Sequence, residues 1–205
     1  MNRMWIKRVF LPFACTLVLA ACASQPTGTL AAVPTSRPAN TSTPVPPAPT
    51  PALRLIDLKS GGFSLTVQPD LDLDIDDYSV NFSDPGGEHV ISLNGRPYVA
   101  SSYTLESFLG KYLAEMASRG GSFNQGAAYG IIIDGMNGIA IDLHGSILDQ
   151  PMAGKAIAVS PGKDFIVFGL GMSSLRLREN AWNESGSPLF EATIGSIKFR
   201  DEVKR

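Results

Sequence analysis

An α+β fold, an antiparallel sheet with helices packed on it, is what this 205-residue chain predicts, and three features carry the prediction. Segments whose apolar residues alternate with a period of two dominate from residue 63 onward and are separated by short Gly, Pro and Asp turns. A single strong helical period, beginning at Thr104, interrupts them without any strand-helix-strand alternation of the kind that builds a parallel sheet. The run Phe165 to Leu170 is apolar at both parities, so it needs cover above and below and belongs in the middle of a sheet.

The chain opens on Arg3, Lys7 and Arg8, followed by an apolar stretch from Val9 to Leu19, the charge and length profile of a secretory signal. A spanning helix needs about 20 apolar residues; here the run holds Pro12 and gives way to Ser, Gln and Pro after Ala23, so a transmembrane anchor is not expected. The block Leu19-Ala20-Ala21-Cys22 resembles the bacterial lipobox. That resemblance implies a thioether-linked diacylglycerol on Cys22, cleavage in front of it, and acylation of the freed amine by palmitate-like chains; the alternative is ordinary secretion with cleavage at an A-x-A-like site. Two or more acyl chains give stable anchoring where one does not. Ala23, where an inner-membrane retention signal would carry Asp, leaves the outer membrane open as a destination in a cell that has one.

Residues 1–21 are thus read as signal and 22–52 as a lipidated cysteine with a tether. From Ser24 to Ala52 there are eight prolines and six threonines, with Arg37 the only charge, a composition unable to bury a core. At about 3.1 Å per residue in polyproline II, its fully extended reach is roughly 90 Å. The P-x-x-P pairs Pro44 with Pro47 and Pro46 with Pro49 are read as part of the spacer. Residues 53–205 remain for one globular domain of ordinary size. Three of the 17 basic residues and none of the 19 acidic ones precede Cys22, leaving 14 against 19 and a net charge of −5. Without a basic stripe, the electrostatic contribution that dominates nucleic-acid affinity is missing. Cys15 falls in the signal and Cys22 is the acylated residue, so disulfides, cysteine metal sites and cysteine catalysis are excluded from the domain.

Within the domain, Gly61 and Gly62 open a strand in which Phe63, Leu65 and Val67 face one way. Asp70, Asp72, Asp74 and Asp76 then interleave with Leu71, Leu73 and Ile75. An EF-hand loop begun at Asp72 needs Gly at position six and Glu at twelve but meets Asp77 and Ser83, so the expectation is a strand with carboxylates to water that discourages edge pairing; a weak cation site is the alternative. Ser79 to Ser83 and Glu88 to Asn94 flank Asp84-Pro85-Gly86-Gly87 as a hairpin. Thr104 caps a helix whose Leu105, Phe108, Leu109, Tyr112, Leu113 and Met116 form one face until Gly120 and Gly121 stop it. Tyr129 to Ile133, Ile139 to Leu148, Ala153 to Ser160 and Phe165 to Leu170 make a meander, with connections at Asp134 to Gly138 and Pro161 to Asp164. Arg176 to Trp182 reads as a short helix. Ser187 reads as the N-cap of another helix with Pro188 at its first position, and Ile197 to Phe199 as a final strand.

The GFSLTV opening, the helix from Thr104, the glycine-punctuated meander and above all SPLFEATIGSIKF near the end together resemble the PsbP/Mog-like fold over about residues 55 to 200. The resemblance implies an α/β/α sandwich that binds partners, and it transfers no catalytic residue.

Little chemistry is written in motifs. His89 and His144 are the only histidines, so no HExxH zinc site exists. Asp142, His144 and Ser146 share a strand face, but alternate strand residues lie roughly 6 to 7 Å apart, too far for the hydrogen-bond relay of a triad. No G-x-S-x-G elbow occurs. Gly169-Leu170-Gly171 lacks the third glycine of a dinucleotide fingerprint, because Ser174 stands there. The sequence therefore predicts a non-enzymatic, extracytoplasmic lipoprotein held to a membrane by Cys22, without cofactor or metal, whose domain binds an envelope protein or a small ligand. A hydrolase using Asp142 and His144, and a carrier of an apolar ligand between sheet and helix, are the alternatives.

Overall fold

In a computed structural model, residues 52–98 and 104–204 are described; Cys22 and the tether lie outside the described residues. Strands β1 (Arg54–Leu58), β2 (Phe63–Val67) and the two-residue β11 (Lys198–Phe199) form an antiparallel sheet in the order β1-β2-β11. The larger sheet contains β3 (Asp72–Ile75), β4 (Ser79–Ser83), β5 (His89–Pro97), β6 (Gly121–Gln125), β7 (Tyr129–Ile133), β8 (Met136–Ile147), β9 (Gln150–Gly162) and β10 (Phe165–Ser174). Its order is β3-β4-β5-β10-β9-β8-β6, and every described pairing in it is antiparallel. Strands β6 and β7 share one edge of the long β8, the first against Leu143 to Ile147 and the second against Met136 to Ala140.

The doubly apolar run became the middle strand. On one face of the large sheet, Ile166, Phe168, Leu170 and Met172 of β10 pack with Phe108, Leu109 and Leu113 of helix α1 (Leu105–Ala117). On the other, Val167 joins Ile91, Leu93, Ile157 and Val159 beneath the small sheet and helix α2 (Ser187–Gly195). The result is three layers, as the resemblance implied. Thr104 caps α1 by accepting the Ser107 amide at 3.1 Å, and Glu115 and Arg119 pair one turn apart on its outer side. Gly171 provides the seat for α2: a Cβ there would lie 2.4 Å from Cδ2 of Phe190, whose ring is fully buried.

Several local expectations are corrected. The connection expected over residues 134–138 is a two-residue turn, Asp134-Gly135, with both φ positive at 48° and 78°, the type I′ geometry that suits strand twist; Met136 to Gly138 belong to β8. Strand β8 ends at Ile147, since Leu148 and Asp149 are both left-handed and form the next turn. Arg176 to Trp182 is not a helix. Residues 175–180 are bends and turns, Leu177 is exposed, and the helical path starts at Ala181 with a π-turn over Trp182–Gly186 that continues into α2. Ser187 is accordingly helical itself, at φ −63° and ψ −47°, rather than an N-cap. Pro188 sits inside this helical path, where it offers no N–H to the carbonyl of Glu184 and crowds it; the wider π-turn immediately upstream accommodates that defect.

Candidate functional site

The residues singled out by sequence separate into different places. Asp142 and His144 share an exposed face of β8. Asp142 accepts a hydrogen bond from the Tyr129 hydroxyl at 3.1 Å and lies across from Lys155, whose ammonium is 5.7 Å from the Tyr129 ring centroid and pairs with Glu191 of α2. Burial alone would lower the Lys155 pKa, but its bonds to Glu191 and Tyr129 outweigh that and raise it. His144 stands opposite Ala153 and Asn124, so no relay joins it to Asp142 and a hydroxyl. His89 and His144 occupy strands three spacings apart in the sheet, roughly 14 Å, too far to share an ion. Among the described residues no cluster of three or more His, Cys, Asp or Glu could hold a metal.

The acidic strand is divided. β3 forms one edge of the large sheet, with Asp72 and Asp74 exposed and Leu71 buried, as expected. Ile75 departs from the alternation at 48% exposure. Asp76 is exposed as well, but it also accepts the amides of Tyr78 and Ser79 at 2.8 and 2.7 Å and the Ser79 hydroxyl at 2.8 Å. Partial burial would raise its pKa, but these three donors prevail and lower it. It therefore closes the β3–β4 turn.

Sequence reasoning missed the polar cluster around His89. His89 is buried on β5 between two serines, with Nδ1 2.7 Å from Ser173 Oγ and Nε2 2.8 Å from Ser185 Oγ of the π-turn. Ser185 donates its one hydroxyl hydrogen to the Ala181 carbonyl at 3.2 Å and accepts from Arg178 Nη2 at 3.0 Å. Nε2–H must then donate to Ser185, which leaves Nδ1 to accept from Ser173. This serine-to-imidazole bond has the form of a nucleophile and base, yet Ser173 has no exposed surface. Hydrogen bonds from Arg178 hold the Glu88 carboxyl below the usual carboxylate range, with burial opposing. Gly186 completes the fit, because a Cβ there would lie 2.0 Å from Ser173 Oγ. The cluster fastens the π-turn to the sheet. Nothing in residues 173 to 186 has a motif spacing that would have revealed it.

The open surface lies at the other end of β5. A cleft of about 420 Å³ is lined by Tyr78, Asn94, Gly95, Arg96, Pro97 and Phe168. Beside it, sharing the β3–β4 turn, is a second cleft of about 340 Å³ with Asp57, Asp76, Asp77 and Lys59 in its walls and exposed Ile75 at its margin. The first borders an aromatic group in which Phe108 and Tyr112 each meet Phe168 edge-on at 5.0 Å and Tyr98 meets Phe108 at 5.5 Å. Burial pushes the Tyr112 hydroxyl up to about 12. The exposed guanidinium of Arg96 lies over this group, 5.0 Å from the Phe168 centroid and 5.3 Å from that of Phe108. Between α1 and the sheet, where an apolar ligand was the alternative expectation, Phe108, Leu109 and Leu113 pack with Ile141, Leu143, Ile166, Phe168, Leu170 and Met172.

No protein-family model matches the chain, and no curated protein sequence matches it. Among solved structures it is similar to cyanobacterial PsbP (CyanoP) from Synechocystis, with a TM-score of 0.55 at 12% identity, covering 77% of this chain and 98% of that one. LpqN of Mycobacterium tuberculosis, described as involved in cell envelope biogenesis, aligns at TM-score 0.47 and 11% identity over 73% of this chain and 91% of its own. A Pseudomonas aeruginosa protein of unknown function, PA94, aligns at TM-score 0.36 and 13% identity, over 65% and 92%. The first of these shows the fold: the domain is PsbP-like, of the α+β class.

Proposed function

We propose, for a PsbP-like domain carried behind the Leu19-Ala20-Ala21-Cys22 block and a proline-rich spacer, that the protein is a membrane-anchored extracytoplasmic binding module rather than an enzyme. The observation that carries this reading is the contrast between the two ends of β5. Of the two serines on His89, Ser173 is sealed from solvent and Ser185 is tied to the Ala181 carbonyl and Arg178, whereas the end open to solvent carries two clefts lined by recognition groups: a guanidinium, an amide, tyrosine and carboxylates. Catalysis by proton transfer requires the base to reach a substrate, and His89 is not placed to do so. Cys22 supplies the anchor in this reading, residues 22–52 the reach, and residues 53–205 the surface that meets an envelope protein or small ligand.

The test is fractionation together with capture. Wild-type protein should remain with membranes and bring down a reproducible partner or ligand from them, while Cys22→Ala should be released with its domain folded and its capture intact. Membrane retention of Cys22→Ala would remove the anchor. Turnover of ester or glycoside substrates that disappears in His144→Ala would replace the binding module with the hydrolase alternative.

A further inference from the structure

The two clefts share a turn but differ in charge. Asp57, Asp76 and Asp77 stand in the second, with Lys59 the one cation in its lining and Arg200 paired to Asp57. The first has no carboxylate in its lining and has Arg96 at its wall. Arg178 and Arg200 are engaged with Glu88 and Asp57; Arg96 instead rests on Phe168 and Phe108. On a domain of net negative charge, an exposed guanidinium in none of the ion pairs among the described residues, resting against two rings, keeps its N–H fork available. Contact with aromatic rings takes up none of its N–H donors, and those donors match the paired oxygens of carboxylate or phosphate.

The other lining groups extend the match. Asn94 gives one amide hydrogen to Ser92 Oγ at 3.3 Å, which leaves a second N–H for an acceptor. Tyr78, half exposed, and Phe168 supply apolar wall. The volume, about 420 Å³, falls within the range of small-molecule sites.

We infer that this cleft binds an organic anion, a carboxylate or phosphate carried on an apolar body, with Arg96 taking the charge, Asn94 one oxygen and Tyr78 with Phe168 the body. The inference rests on the binding-module reading and gives it a ligand class. Contact of Arg96 with the rings reduces the entropy lost on binding, and the acidic neighbouring cleft repels anions, which confines them to this one.

The full chain is titrated by calorimetry with benzoate and phenyl phosphate, with inorganic phosphate and acetate as anions lacking the body and benzyl alcohol as a body lacking the charge. Benzoate or phenyl phosphate should bind saturably, at least about tenfold more tightly than the matching bare anion and than benzyl alcohol, a difference well within what one charged contact or one apolar contact supplies. Arg96→Gln should weaken the preferred ligand at least about tenfold, and Arg96→Lys should weaken it too, because an ammonium lacks the planar fork. The stronger of the two ligands assigns carboxylate or phosphate. Unchanged affinity in both Arg96 variants, equal binding of the bare anions, or no saturable binding of any probe would overturn the inference. Because Cys22 fractionation and partner capture are separate readouts, such a failure leaves the anchored binding module standing, and failure of those leaves the cleft measurement intact.

Discussion

Gly171→Ala should unseat α2. The added methyl would lie 2.4 Å from Cδ2 and 2.8 Å from Cγ of Phe190, and both positions are closed to relaxation. The strand cannot retreat, since Gly171 is paired to Ile91 on one side and Lys155 on the other. The ring is fully buried and lies 6.0 Å from the centroid of Trp182. Overpacking a core usually destabilises by about 1–3 kcal/mol, and with both sides fixed the expected loss is near the upper end, about 3 kcal/mol. Phe190→Ala should by itself cost about 3–5 kcal/mol. Combining the two removes the atoms that the methyl strikes, so the double variant should be about as stable as Phe190→Ala alone, with a coupling of about 3 kcal/mol. Urea unfolding followed by circular dichroism measures all four proteins, and Trp182 fluorescence reports the same packing. An unchanged Gly171→Ala midpoint, or losses that simply add, would mean that Phe190 does not sit on Gly171.

Ile194→Asp should destabilise by at least about 3 kcal/mol, because it places a charge without a partner in the core under α2; an unaltered melting temperature would contradict the docking of that helix. Asp134 takes the Phe199 amide at 3.0 Å and pairs with Lys198 and Lys204. Burial would raise its pKa, yet these partners hold it at about 2 against an ordinary 3.8. A depressed carboxyl stabilises fully above its unfolded value and loses that effect as pH falls through its folded one. Asp134→Asn should therefore cost on the order of 1–2 kcal/mol at neutral pH, with the difference from wild type fading between about pH 4 and 2; a difference constant with pH would refute it. Calcium at millimolar levels should raise the melting temperature no more than sodium chloride at equal ionic strength. An occupied site would add about 2.7 kcal/mol at a hundredfold excess over its dissociation constant, a gain that Asp72→Asn with Asp74→Asn would abolish.

What could be read from the sequence was whatever local pattern determines. β2, the β4–β5 hairpin, the Thr104-capped helix and the central place of β10 follow from periodicity, turn residues and a doubly apolar run. β1 was missed because Ile56 and Leu58 are its only buried residues, too short an alternation to stand out. β6 was missed because Gly121 to Gln125 has almost no apolar content and is a strand only through its pairing with β8. The π-turn misled for the opposite reason: Ser187-Pro188 has the local signature of a helix start, but contacts of Ser185 with His89, 96 positions away, carry the helical path back through it. The same distance hid the sites. Arg96 and Phe168 meet only because β5 and β10 are neighbours, and Ser173 meets His89 for the same reason, while the visible pair Asp142 and His144 proved to be adjacent without being connected.

The central claim, an anchored module, is tested most directly by the mass of the N-terminal peptide from protein extracted out of its own membranes. The account predicts a chain that begins at Cys22 and carries a thioether-linked diacylglycerol on its sulfur. A chain beginning elsewhere, or an unmodified Cys22 in the membrane fraction, would contradict it.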